Sequence, residues 1–372
     1  MAHTSQDYLT AFSMVRGINV TTGETMLEKV GDEQAYFTTG EHELKVRTGV
    51  DIRILRDDYR SKLLARAVKE NAFTDTSGID RLYFRNEDYP PLLRECNDAP
   101  AMLYKLGSHD LCAPHPVAIV GTRHCTAYGA DFTARFVEEL SAKIEGLSIV
   151  SGLAYGIDVA AHRAALKTNT PTVAVLAHPL NTIYPAEHRS VAAQIVQQGG
   201  ALVTEYPTET PTHRVNFLER NRIIAGLCQA TIVVESDIKG GAMMTASMGM
   251  AYSREVFAVP GRVYDRYSRG CNRLIMTNKA AMITSADDFI DMMGWSCRPT
   301  EGTQQELPLQ LTDDQNRILQ FIEENPNVTA NEISRELEQP YAQFSEILFQ
   351  LEMAQLIMPL PGGKYAALNT TL

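Results

Sequence analysis

Between residues 115 and 260 the chain alternates short apolar runs with mixed segments of helical length. Val117-Ala-Ile-Val120, Ser148-Ile-Val-Ser151, Thr172-Val-Ala-Val-Leu176, Ala201-Leu-Val-Thr204, Ala230-Thr-Ile-Val-Val234 and Glu255-Val-Phe-Ala-Val259 are too short and too β-branched for helices. Runs apolar on both faces predict buried strands, and their alternation with helices predicts a doubly wound parallel α/β sheet. Upstream, residues 1–70 are mixed and charged, with helices expected near Gln6–Val15 and Tyr59–Glu70 and with Gly17 and Gly31 as breakers. Downstream, the polar stretch from Arg298 to Pro308 reads as a linker. From Thr312 the pattern changes again. Ile318, Leu319 and Ile322 share a helical face, Thr329 is placed to cap a second helix, and Tyr341–Ala354 forms a third. A strand, a Gly-Gly turn and a second strand follow, which together predict a winged helix. The expected division is 1–70, 71–297, a linker at 298–311, and 312–372.

Composition narrows the partners. The 372 residues carry a net charge of −11, which excludes a wrapping, histone-like nucleic-acid binder and confines any such binding to a local basic patch. No apolar run approaches membrane-spanning length, and the first residues lack a basic start followed by an apolar core, so a cytoplasmic protein that does not engage membranes is expected. Six scattered cysteines without a CxxC pair predict neither disulfides nor structural zinc, and no cofactor is expected.

The candidate chemistry lies in four glycine-bearing turns after predicted strands: Gly121-Thr-Arg123, Ser151-Gly-Leu-Ala-Tyr-Gly-Ile-Asp158, Lys239-Gly-Gly241 leading to Thr245, and Val259-Pro-Gly261. Turns that open helices present N–H groups to phosphates. Asp158 and His162 are spaced i,i+4, read as a hydrogen bond bracing the loop rather than as an acid/base pair. No nucleophile has an evident base beside it, and no His, Asp or Glu cluster has metal spacing. From Glu205 to Lys279 there are ten Lys or Arg against seven Asp or Glu. Arg220, Arg222, Lys239 and the group from Arg262 through Arg273 to Lys279 form a cationic stripe suited to a single strand, with Tyr155, Phe217, Tyr264 and Tyr267 available for stacking. From Thr312 onward nine acidic residues face three basic ones, so the wing reads as a protein-binding or structural module rather than a duplex reader.

In these motifs the central region resembles the DNA-processing protein A family, also called Smf. Gly121-Thr-Arg123, Ser151 to Asp158 with Ala161-His162, Thr204-Glu-Tyr-Pro207, and Phe217 with Arg220-Asn-Arg-Ile-Ile-Ala-Gly-Leu227 carry the resemblance. So do Gly241 to Ala246, Phe257-Ala-Val-Pro-Gly261 and Gly270-Cys-Asn-Arg-Leu-Ile275. It implies a SAM-like helical domain, an extended Rossmann-like domain and a winged helix. It also implies a noncatalytic, dimeric single-stranded DNA binder, paired through the Rossmann-like domain, that protects the strand and loads RecA recombinase onto it in natural transformation. Carried over by position, Arg123 and Lys239 are phosphate clamps, Ser151, Gly152 and Gly156 cradle positions, and Arg220 and Asn221 part of the same pocket. Arg222, Gly241, Thr245 and Arg273 complete the expected DNA-binding set. The rival is a phosphoribohydrolase-like enzyme, whose fold needs a carboxylate where this chain has Ser247 or Met248.

Overall fold

The computed structural model describes residues 3–298, 311–325, 328–337, 339–353, 356–360 and 363–367. The linker expected at 298–311 lies, apart from its two end residues, outside the described residues. The chain folds as two units, Met1–Pro299 and Thr300–Leu372.

The first unit opens with helices α1 (Ser5–Ser13), α2 (Val20–Val30), α3 (Glu33–Thr38), α4 (Glu41–Thr48) and α5 (Asp57–Ser77). Thr4 and Asn19 begin the first two with reciprocal capping boxes, and Gly17 and Gly31 follow expectation as breakers at positive φ. The antiparallel pair β1 (Asp80–Tyr83) and β2 (Met102–Gly107) flanks a short helix, α6 (Pro91–Arg94). The βαβ region follows as β3 (His115–Val120), α7 (Ala127–Lys143), β4 (Leu147–Ser151), α8 (Ile157–Lys167), β5 (Thr172–Val175), α9 (Arg189–Gln197), β6 (Ala201–Thr204), α10 (Arg214–Gly226), β7 (Ala230–Val233), α11 (Gly241–Ala251), β8 (Glu255–Ala258), α12 (Arg269–Met276), β9 (Ala281–Met282) and α13 (Ala286–Met293). Each predicted strand falls within about two residues of its expected ends.

The sheet order is β1-β2-β6-β5-β4-β3-β7-β8-β9, parallel from β6 to β9 and antiparallel at the β1–β2 end. Alternate residues of β3 enter opposite layers, as the pleat requires. Val117 and Ile119 pack with Phe136, Val137 and Leu140 of α7, whereas Ala118 and Val120 join a core with Ile223, Ile224 and Ala246 of α10 and α11. That second core continues into the amino-terminal helices through Phe12, Leu27, Tyr36 and Leu55. Polar ties reinforce the junction: Tyr83 donates to Glu33 at 2.6 Å, and Glu70 of α5 accepts the Thr208 N–H at 2.9 Å.

The second unit contains α14 (Asp313–Glu324), β10 (Val328–Thr329), α15 (Ala330–Glu336), α16 (Tyr341–Met353), β11 (Ile357–Leu360) and β12 (Lys364–Ala367). Thr329 caps α15 as expected, in a reciprocal box with Glu332. Ile318, Ile322, Phe344, Leu348 and Ile357 close its core. The strand order β10-β12-β11 adds one strand to the predicted two-stranded wing.

Candidate nucleic-acid interface

The sheet reverses its winding at β3. The chain lays β4, β5 and β6 to one side and returns to place β7 on the other edge of β3. Loops leaving the carboxyl ends of β3 and β7 therefore diverge, and the crevice between them is where open α/β sheets take ligands. A cleft of about 920 Å³ opens there, walled by Gly121–His124, by α10, by the segment from Ser236 to Thr245 and by Arg266–Tyr267.

Two glycines let these walls meet. A Cβ on Gly152 would sit 2.4–2.6 Å from the Arg220 guanidinium atoms. Gly156 begins α8 at φ +78°, and a Cβ there would lie 2.1 Å from the Thr122 carbonyl. Side chains at either position would push the β3 and β4 loops, or the buried arginine, out of register.

Glu235, two residues beyond the end of β7, fastens the loop that carries Arg123. Its buried carboxylate accepts the Thr126 N–H at 2.8 Å and the Thr126 hydroxyl at 2.6 Å, while its own carbonyl accepts the Thr122 N–H at 2.6 Å. Glu235 is not among the residues expected from sequence, although an acid at the end of a buried strand is itself a signal of a polar task. Arg214 and Tyr184, both on the cleft wall, are likewise outside that set; nothing in their local sequence marks them.

The cations of the cleft fall into two groups. Arg220 is 4% exposed and largely committed to the protein. Nη1 donates to the Gly152 carbonyl at 2.7 Å and to the Val175 carbonyl, and Nε donates to Asn221 Oδ1 at 3.2 Å. Burial lowers its pKa to about 10, so it stays charged at neutral pH. Burial likewise raises the neighbouring Asp158 carboxyl, opposed chiefly by the Arg220 charge. Arg266 is tied to Asp237 at 2.8 Å. Arg123, Arg214 and Lys239 make no ion pair among the described residues. Arg123 rests over Phe217, its guanidinium carbon 5.5 Å from the ring centroid, and Tyr184 meets the same ring edge-on at 5.7 Å. Free cations beside aromatic faces are the donor set for phosphates and bases.

Of the expected set, Arg123, Arg220, Asn221, Lys239, Gly241 and Thr245 come together on the cleft wall, with Gly152 and Gly156 behind them. Ser151 does not join them. It is buried in β4 and donates to the Ile119 carbonyl at 2.6 Å, which makes it a strand-pairing residue. Arg222 points elsewhere, paired with Glu205 at 2.5 Å with both side chains 16% exposed. Arg273 is exposed on α12 but does not line the cleft. The Asp158–His162 hydrogen bond is also absent. His162 Nδ1 lies 2.8 Å from the Thr172 hydroxyl, which itself donates to the Ile149 carbonyl at 2.7 Å. The imidazole Nδ1 is therefore the donor, and burial beside Arg220 lowers the His162 pKa to about 3.

Residues 80–294 match the family model for DNA recombination-mediator protein A, and residues 302–363 match the DprA winged helix domain. The chain belongs to the DNA recombination-mediator protein A family. Protein Smf of Escherichia coli (strain K12) is 35% identical over 283 residues, 75% of each chain. The X-ray structure of DNA processing protein A from Streptococcus pneumoniae aligns with a TM-score of 0.63 at 29% identity, over 78% of this chain and 98% of that one. DNA processing protein A from Helicobacter pylori, whose structure addresses its single-stranded DNA binding mode, aligns with a TM-score of 0.52 at 31% identity, over 58% and 95%. The α/β architecture with a carboxyl-terminal winged helix is thus a family property of this chain. No helix among the described residues is long and apolar enough to cross a membrane.

Proposed function

We propose that this chain binds single-stranded DNA along the cationic cleft, protects it, and loads RecA recombinase onto it during natural transformation or recombination. It does so in the cytoplasm as a homodimer paired through the Rossmann-like region, and without making or breaking a covalent bond. One observation carries the reading: Arg123, Arg214 and Lys239, free of ion-pair partners among the described residues, share the cleft wall with the Phe217 ring at the switch point of the sheet. A single strand offers that site both phosphates and open base faces, whereas a duplex hides the faces. The Helicobacter pylori relative, with its single-strand binding mode, supports the same ligand.

A noncatalytic role agrees with the carboxylates present. Asp158 is buried against Arg220, and Asp237 is held by Arg266. Where a phosphoribohydrolase needs its carboxylate, Ser247 donates to the Met243 carbonyl at 2.9 Å. The test is titration of a labelled oligo-dT by fluorescence anisotropy with Arg123→Glu and Lys239→Glu. Each variant should bind more weakly and flatten the dependence of log K on log salt by ~0.7 for each phosphate it no longer neutralises. Wild-type affinity and slope in both would refute the site. Acceleration of RecA assembly on the strand by wild type, and its loss in Arg123→Glu, tests the loading step.

A further inference from the structure

The chain between β8 and α12 crosses the rim of the cleft as a pinned turn. At one foot, Gly261 N donates to Asn272 Oδ1 at 3.1 Å, and Asn272 Nδ2 donates back to the Gly261 carbonyl at 2.9 Å. At the other, Arg266 is tied to Asp237 at 2.8 Å, and the Tyr267 carbonyl accepts from Ser236 N at 2.6 Å. Asp265 N closes the turn on the Arg262 carbonyl at 3.1 Å. The tip between these ties holds Val263, 76% exposed, and Tyr264, 94% exposed.

Single apolar side chains on a surface are ordinary. These two are adjacent, sit on a turn fixed at both feet, and have exposed Arg262, Arg266 and Arg269 nearby, with Asp265 beside them and Asp237 paired to Arg266. The turn also stands between two concavities. Arg266 and Tyr267 face the cleft, while Arg262 and Asp265 face a neighbouring hollow of about 740 Å³ reaching Thr126 and Tyr128. An aromatic ring in water, beside guanidinium forks on a turn at the rim of a cationic cleft, has the chemistry of a base-stacking post.

We infer that Tyr264 stacks on a base of single-stranded nucleic acid as the strand passes out of the cleft, with Arg262 meeting an adjacent phosphate. The inference rests on the single-strand reading above and adds a station beyond the cleft. It is tested in the full chain. Tyr264→Ala lowers affinity for a long oligo-dT by about tenfold or more, but leaves binding of a strand of about four nucleotides, short enough to occupy only the cleft, unchanged. Tyr264→Phe restores the long-strand affinity, and the salt slope of Tyr264→Ala stays that of wild type because every phosphate remains neutralised as before. Tyr264→Trp adds an exposed indole to a chain with one tryptophan, and its emission is quenched by oligo-dT beyond the quenching seen in wild type.

Equal long-strand affinity for wild type and Tyr264→Ala, with no added quenching, overturns the stacking post and leaves the cleft reading standing. Normal strand binding by Tyr264→Ala together with loss of recombinase assembly makes the tip a protein-docking point and also overturns it. Failure of the wild-type chain itself to bind any strand overturns both readings, and is distinguishable because it does not depend on residue 264.

Discussion

At the scale of single residues, the site depends on which arginines are spent and which are free. Arg220 is held by carbonyls that only the absence of a side chain at Gly152 makes reachable. Gly152→Ala is therefore expected to displace the guanidinium, costing on the order of 3 kcal/mol of stability for a buried charge stripped of partners and weakening strand binding with it. A denaturation midpoint and a binding curve both equal to wild type would contradict this. His162 supplies a pH prediction. Its folded pKa of about 3 lies below the ordinary value of 6.5, so the unfolded chain binds the proton first as pH falls. Stability from this group is complete above about pH 6.5 and is lost progressively as pH falls toward 3. His162→Gln should flatten that part of the melting-temperature profile relative to wild type, and an unchanged profile would rule the linkage out. Much at this scale is readable from sequence and some is not. Arg123 and Lys239 follow strands and stay on loops at the sheet edge, where local pattern places them. Arg222 and Ser151 look identical in kind, yet their partners, Glu205 and the Ile119 carbonyl, are chosen by packing between distant segments.

At the scale of elements, glycine loops bring the walls together and Glu235 ties one of them down. Because its carboxylate accepts both the amide and the hydroxyl of Thr126, Glu235→Ala removes two part-buried hydrogen bonds to a charged acceptor. Such a loss costs about 1–3 kcal/mol. The expected outcome is a lower melting temperature and weaker strand binding, with faster amide hydrogen exchange confined to residues near 121–126. Unchanged exchange there would remove Glu235 from its positioning role. The buried strands are legible because unbroken β-branched runs have no other stable use. The pair β1–β2 and the two-residue β9 are not, since Asp80-Arg-Leu-Tyr83 and Ala281-Met282 carry no distinctive period. Helix α2 is hidden by its Thr-Thr-Gly start, and its capping box only becomes evident once Asn19 is seen to close on Thr22.

At the scale of the whole molecule, an acidic chain places three cations without ion pairs among the described residues, Arg123, Arg214 and Lys239, in one crevice. Composition shifts near residue 70, but α5 runs from Asp57 to Ser77 and its Glu70 accepts from the Thr208 amide, just upstream of α10. The helical segment thereby helps hold the segment that leads to Arg214 and Phe217. The winged unit, with nine acidic residues and three basic ones from Thr312 onward, offers little to phosphate, which leaves the cleft as the expected seat of DNA affinity.

The crevice is expected to select an unpaired strand by combining phosphate neutralisation with open base faces. Anisotropy titration of the intact protein against labelled oligo-dT and a matched duplex, each at two salt concentrations, tests it most directly. The single strand should bind more tightly than the duplex, weakening as salt rises with a slope of ~0.7 per phosphate engaged. Equal or tighter binding of the duplex, or affinity for the single strand that does not respond to salt, would contradict it.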